Sequence, residues 1–184
     1  MSKISILELI GFVFIILVGA MFHFIYEWSG HNKFAAFFCA VNESVWEHMK
    51  MAMGPTFLWI LIEMMFLMEN DNFFIAKFVS LAVMLVSIPA IFYVYYSVLK
   101  KEVLIFGILD FFISILLGQM ASNAVLHANV LPFYLKYLSI VGLVVIFILY
   151  MTRTFIPGKG IIFKDFSNDK YGLNAHTHHN HHKN

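Results

Sequence analysis

Charge is what this sequence has least of. Only 12% of its 184 residues are Asp, Glu, Lys or Arg, about half the share of a typical soluble domain. An excess of one sign is missing too. The formal net charge is +1, so no global pull toward nucleic acid is expected. Cysteine occurs once, at Cys39. That excludes an intrachain disulfide, and the apolar stretch around it points to packing. No internal repeat is visible, and no tight ligand motif such as H-E-x-x-H occurs.

What the chain does have is apolar surface. Hydrophobic residues make up 61% of it, and the mean hydropathy is +0.81. One small core cannot hide this much, because small domains leave much of their chain exposed. Lipid is therefore the expected solvent of the outer face, and membrane lipids are the expected partners. The fold class that follows is all-α, a polytopic transmembrane helical bundle.

A span needs about 20 mostly apolar residues. Residues 4–26, 73–99, 103–122 and 131–151 meet this directly. The first run is longer than the apolar core of a signal peptide and has no small-x-small cleavage pattern, so it reads as an uncleaved span. The stretch 34–68 is ambiguous, because Glu43, Glu47, His48 and Lys50 interrupt it before Gly54-Pro55. Proline removes a backbone donor and clashes with the preceding turn. Six spans result if 34–53 and 55–69 each cross. Five result if 34–48 is interfacial or re-entrant and 49–69 crosses with a kink. Six is the preferred count, since it keeps Lys3 and Lys50 on one side; Lys33 argues the other way.

Lys100, Lys101 and the basic residues after Arg153 orient the bundle by the positive-inside rule. They predict a cytoplasmic C-terminus in a prokaryotic inner (cytoplasmic) membrane. The domain division is 1–152 for the helical domain and 153–184 for a polar cytoplasmic tail. Five histidines lie between His176 and His182 near its end, a low-complexity tract expected to be disordered. Within the bundle, Gly107, Asp110, Ser114, Gly118 and Ser122 mark one face at near-helical spacing, which lets helices approach closely. Ala36, Ala40, Glu43 and Glu47 suggest a second such face.

Ionisable groups inside spans cost roughly 2.5–3.5 kcal/mol each at mid-membrane on insertion scales, and usually pair or line a cavity. Glu8, His23, Glu27, Glu43, Glu47, His48, Glu63 and Asp110 all fall in or beside the spans. His23 and Glu27 share a helical face, as do Glu43 and Glu47, and Ser44 and His48. Imidazole with carboxylate suits a divalent metal such as zinc. The candidate ligands are His48, His23 and Glu27; the candidate catalytic groups are Glu43, Glu47 and Asp110, as general base, ligand or orienter. Three readings stay open: a metal-assisted membrane enzyme acting on a lipid or lipophilic substrate, a proton-coupled carrier, and a structural or partner-binding protein whose polar groups only fix packing. Glu63 stands alone on its span, and Glu8 lies close enough to an end to reach water.

The strings His23-Phe24-Ile25-Tyr26-Glu27-Trp28-Ser29-Gly30 and Asn42-Glu43-Ser44-Val45-Trp46-Glu47-His48 resemble a family of small, uncharacterised prokaryotic multi-pass membrane proteins. The resemblance covers most of the chain through the last span and implies a membrane location. Ser44-x-x-x-His48 with Asp110 is also similar to the metal-dependent membrane hydrolases that include alkaline ceramidases. Those carry a further His-x-x-x-His pair on their last span. Residues 131–151 contain no histidine, and His178 and His182 have that spacing only in the tail.

Overall fold

The computed structural model describes residues 1–166 and 169–174. Six α-helices run in order: α1 (Lys3–Trp28), α2 (Lys33–Phe38), α3 (Val45–Leu67), α4 (Phe73–Leu99), α5 (Leu104–His127) and α6 (Phe133–Thr152). A 3₁₀ turn follows at Ile161–Phe163. No strand forms among the described residues; one isolated bridge joins Lys164 to Tyr171.

Five of these helices are long and apolar enough to cross a membrane. The preferred count of six spans is therefore not met. Residues 34–53 do not form one helix: α2 has six residues, too few to cross. A short extended link follows, and α3 begins at Val45. Two local causes set that start. Ser44 takes an extended conformation and its hydroxyl accepts from the Glu47 amide at 3.4 Å, an N-cap. Asn42 Oδ1 accepts the Ser44 amide at 2.8 Å. The proposed face of Ala36, Ala40, Glu43 and Glu47 is lost with that helix.

Pro55 does not end α3 but lies inside it. Its missing N–H frees the carbonyl four residues back, that of Met51. Gly19 of α1 packs against this carbonyl so closely that an added Cβ would lie 2.6 Å from Met51 O. The next carbonyl, of Ala52, accepts the Thr56 hydroxyl at 2.7 Å. Neighbouring helices and hydroxyls are what make proline tolerable in a spanning helix.

Contacts join α4 to α5, α1 to both α3 and α5, and α4 to α3 and α6. The small-residue face of α5 makes the α4 contact: Asp110, Ser114, Gly118 and Ser122 are all buried. A Cβ on Gly118 would meet Met84 Cε at 2.6 Å and Ser80 O at 3.0 Å. Gly107 departs from the pattern, with nothing within 4 Å of its missing Cβ.

The described residues after Thr152 pack on the bundle. Thr154 and Asp165 are buried. Phe163 packs on Trp46 at 5.1 Å and Phe166 on Tyr96 at 4.9 Å between ring centres. Asn42 Nδ2 donates to Gly172 O at 2.9 Å. This segment closes over the α2–α3 link. The histidine tract lies outside the described residues.

Candidate functional site

The alternating helices put the C-terminal ends of α1 and α4 beside the N-terminal ends of α3 and α5. Three polar side chains meet there. Glu43 immediately precedes the Ser44 cap, and His48 lies in the first turns of α3. His23 is five residues before the end of α1. His48 Nε2 is 3.2 Å from Glu43 Oε2, and His23 Nε2 is 3.8 Å from Glu43 Oε1. One carboxylate thus faces two imidazoles brought in from separate helices.

These groups form the polar end of a cavity of about 600 Å³ between α1, α3, α4 and α5. Asp110 and Glu102 line it as well. Asp110 is 4% exposed and accepts the Ser114 hydroxyl at 3.0 Å. Glu102 sits in the α4–α5 link, and its Oε1 is buried without a hydrogen-bond partner among the described residues. Burial pushes the Glu102 carboxyl above its ordinary range; His48 draws it down, while Glu43 and Asp165 push it further up. The remaining walls are apolar, including Ile16, Ala20, Phe92, Phe111 and the open side of Gly107. Phe24, Leu104, Ile108 and Phe112 line the cavity and are also exposed on the outer surface. The cavity therefore opens sideways, between α1 and α5, on a face expected to meet lipid.

Other candidates lie elsewhere. Glu47 is 1% exposed and belongs to a buried lattice with Lys50. Lys50 Nζ contacts Glu47 Oε2 at 3.2 Å, Thr154 Oγ1 at 2.7 Å, and the carbonyls of Ala36 and Cys39 at 2.8 Å each. Thr154 Oγ1 donates to Glu47 Oε1 at 2.7 Å, and the Val41 amide donates to Oε2 at 3.2 Å. A lysine and a glutamate here tie α2, α3 and the segment after α6 together, which is scaffold work. Cys39 beside them is buried, with its thiol pushed up to about 11 by burial, which suits packing rather than nucleophilic chemistry. Glu27 is exposed and is not among the cavity's lining.

Glu63 is not alone, nor does Glu8 reach water. At the opposite end of the bundle Lys77 Nζ lies 2.7 Å from Glu8 Oε1 and 2.5 Å from Glu63 Oε2. Ser122 Oγ bridges Lys77 at 2.9 Å and Glu8 at 2.6 Å, and Gln119 Nε2 donates to Glu8 O at 3.2 Å. Lys77 is the residue that sequence reasoning passes over, embedded in the apolar run of α4. Its signal is its own rarity: a lysine inside a span needs acids, and Glu8 and Glu63 are acids inside spans.

Among the described residues, no three His, Cys, Asp or Glu side chains are disposed to hold a metal ion. His23, His48 and Glu43 converge, but as two imidazoles on one carboxylate. A family model matches residues 1–173, nearly the whole described chain. The chain belongs to the family of unknown function DUF6512. Comparison with curated proteins returns no match, nor does comparison with solved structures. The family assignment thus carries no activity, and the chemistry has to be argued from the cavity.

Proposed function

We propose that this member of DUF6512 is a membrane-embedded enzyme whose cavity takes a lipophilic molecule and presents its polar end to His23, Glu43, His48 and Asp110. The carrying observation is one cavity, apolar along its length and open toward the expected lipid face, with five ionisable side chains at its inner end. Ligand sites have this composition: mostly apolar walls and a few convergent polar groups. A histidine hydrogen-bonded to a carboxylate is suited to proton transfer. A divalent ion such as zinc is part of the proposal: His23, His48 and Glu43 have the donor types zinc takes, and to hold it they would have to turn from one another toward the ion. Glu27 and Glu47 drop out, one for its exposure and one for its bond to Lys50.

Charge distribution supports the orientation. Lys33, Lys100, Lys101, Arg153, Lys159 and Lys170 belong to the cavity end of the bundle, against Lys3 and Lys136 at the other. By the positive-inside rule the cavity end and C-terminus are cytoplasmic, and the N-terminus faces outward. A relay through Glu43, Glu47, Glu63 and Asp110, as a proton-coupled carrier would need, gains less support. Glu47 is bound by Lys50, and Glu63 by Lys77 at the far end.

The test joins turnover with metal content. Purified protein, with and without residues 175–184, is assayed for release of products from lipid esters and amides in micelles, beside elemental analysis. The reading expects turnover that falls about 100-fold or more in His48→Ala and Glu43→Gln, the range typical of a lost acid–base group. It also expects metal retained without the histidine tract but lost in His23→Ala. If the panel gives no turnover and the shortened protein holds no ion after loading with zinc, manganese or iron, the polar cluster is a packing device and the enzyme reading is withdrawn.

A further inference from the structure

The lining of the cavity has an unbalanced charge. Three carboxylates face it, from Glu43, Glu102 and Asp110, with two imidazoles, and no lysine or arginine is part of it. The nearby lysine that could have supplied a cation, Lys50, is already taken by Glu47, Thr154 and two backbone carbonyls. Glu43 has both its imidazole neighbours. Asp110 and Glu102 feel the His48 charge without an imidazole hydrogen bond of their own among the described residues. The hydroxyl of Ser114 is the side-chain partner of Asp110 among the described residues, at an aspartate 96% buried by its 4% exposure. Glu102 Oε1 has no partner there at all. A buried carboxylate oxygen left as Glu102 Oε1 is left is costly, and a cation beside it recovers the cost.

Aromatic rings share the cavity with these acids. Phe92, Tyr95 and Phe111 line the same cavity, and aromatic rings attract ammonium groups through their π faces. Away from the acids the walls are purely apolar, through Ile16, Ala20 and Phe112 to the lateral opening. An anionic head would meet three carboxylates and no compensating base. A bare metal ion would leave the apolar length of the cavity unused.

We infer that the ligand of this cavity is a cationic amphiphile, a long-chain amine whose ammonium sits between Asp110 and Glu102 and whose chain lies along α1 and α5 toward the lipid. The inference rests on the cavity of the proposed function and names its substrate class. It gives Asp110 and Glu102 the head group and leaves His23, Glu43 and His48 free for chemistry.

The experiment uses the full chain in a neutral detergent at neutral pH, where an alkyl amine is protonated. Three saturated probes of one chain length are titrated by calorimetry: the primary amine, the alcohol and the carboxylate. The amine should bind at least about tenfold tighter than the alcohol, as expected for charge-assisted hydrogen bonds, and the carboxylate weakest. Asp110→Asn, which keeps the shape and the Ser114 contact, and Glu102→Gln should each bring the amine affinity toward that of the alcohol. Size-exclusion profiles establish that both variants remain folded. Equal affinity for all three probes overturns the cation assignment while the lipophilic cavity stands. An amine preference that survives the double variant overturns it too, because recognition then lies outside these acids. Binding of none of them overturns both this inference and the function beneath it.

Discussion

Lys77 is held between Glu8 and Glu63 where all three side chains are 4% exposed or less. Breaking a buried pair by removing one partner leaves an uncompensated charge and costs about 3–5 kcal/mol. Lys77→Met strands two carboxyls at once and should lie at or above that range. Glu63→Gln leaves Lys77 its bond to Glu8 and should cost much less. Detergent melting curves of the two variants check the order, and equal losses would contradict the paired geometry. Glu102 behaves in the opposite sense. Its carboxyl lies above the ordinary value of 4.5 in the folded chain, chiefly through burial. The folded state therefore holds that proton more tightly than the unfolded one. The associated stability is fully present below pH 4.5 and is lost as pH rises through the raised folded value. Glu102→Gln, neutral throughout, should be more stable than the parent at neutral pH, with the gap closing in acid. A gap independent of pH would contradict the cause assigned. A residue that weakens the fold while facing a cavity is what a binding site is expected to hold.

At the scale of helices, glycines mark close approach, Gly19 and Gly118 against backbone among them, and Gly107 does not. Gly19 lets α1 reach the Met51 carbonyl freed by Pro55, and Gly118 lets α5 reach Ser80 and Met84. Gly118→Leu should lower the melting temperature far more than Leu116→Phe, since Leu116 is 44% exposed on the outer face. Similar losses would refute the assigned contact. Long apolar runs made four of the five spanning helices legible: 73–99 matches α4 to the residue, and the other three differ at the ends by a few residues. Residues 34–68 stay open between a break and a kink at Pro55 in the sequence, because the close packing of Gly19 on the freed Met51 carbonyl comes from another helix. The Ser44 cap, a serine three residues before a glutamate, was the available signal for the start of α3. Of the candidate site, His23, Glu43, His48 and Asp110 do line one cavity. Glu47 could not be separated from them by spacing, because its partners Lys50 and Thr154 come from a turn onward and from beyond the last helix. Glu8, Glu63 and Lys77 lie far apart in sequence, and only the packing of α1, α3 and α4 joins them.

For the whole molecule, an odd number of spans separates the termini. Cysteine labels introduced near Ser2 and near Lys159 in a Cys39→Ala background should react from opposite sides of the membrane, with Lys159 on the inside. Labelling of both from one side would return the chain to six spans. The same architecture concentrates two kinds of polar chemistry at opposite ends. The far end is closed by Glu8, Lys77, Glu63 and Ser122, and by Asn72, which donates to the Val125 carbonyl of α5 and to the Ala128 and Asn129 carbonyls of the α5–α6 link and accepts the Leu131 amide. The near end holds the cavity, open at the side. The central claim is that a lipophilic molecule enters there. Photolabelling of the membrane-embedded protein with a long-chain diazirine amine, followed by peptide mapping, tests it directly. Labels should concentrate at cavity positions on α1 and α5 such as Ala20, Phe111 and Gly107, above the level at outer α6 positions such as Val141 and Val144. Gly107→Leu, whose side chain grows into open space, should abolish that excess without unfolding the chain. Labelling that is uniform over the outward faces and indifferent to Gly107→Leu would contradict the account.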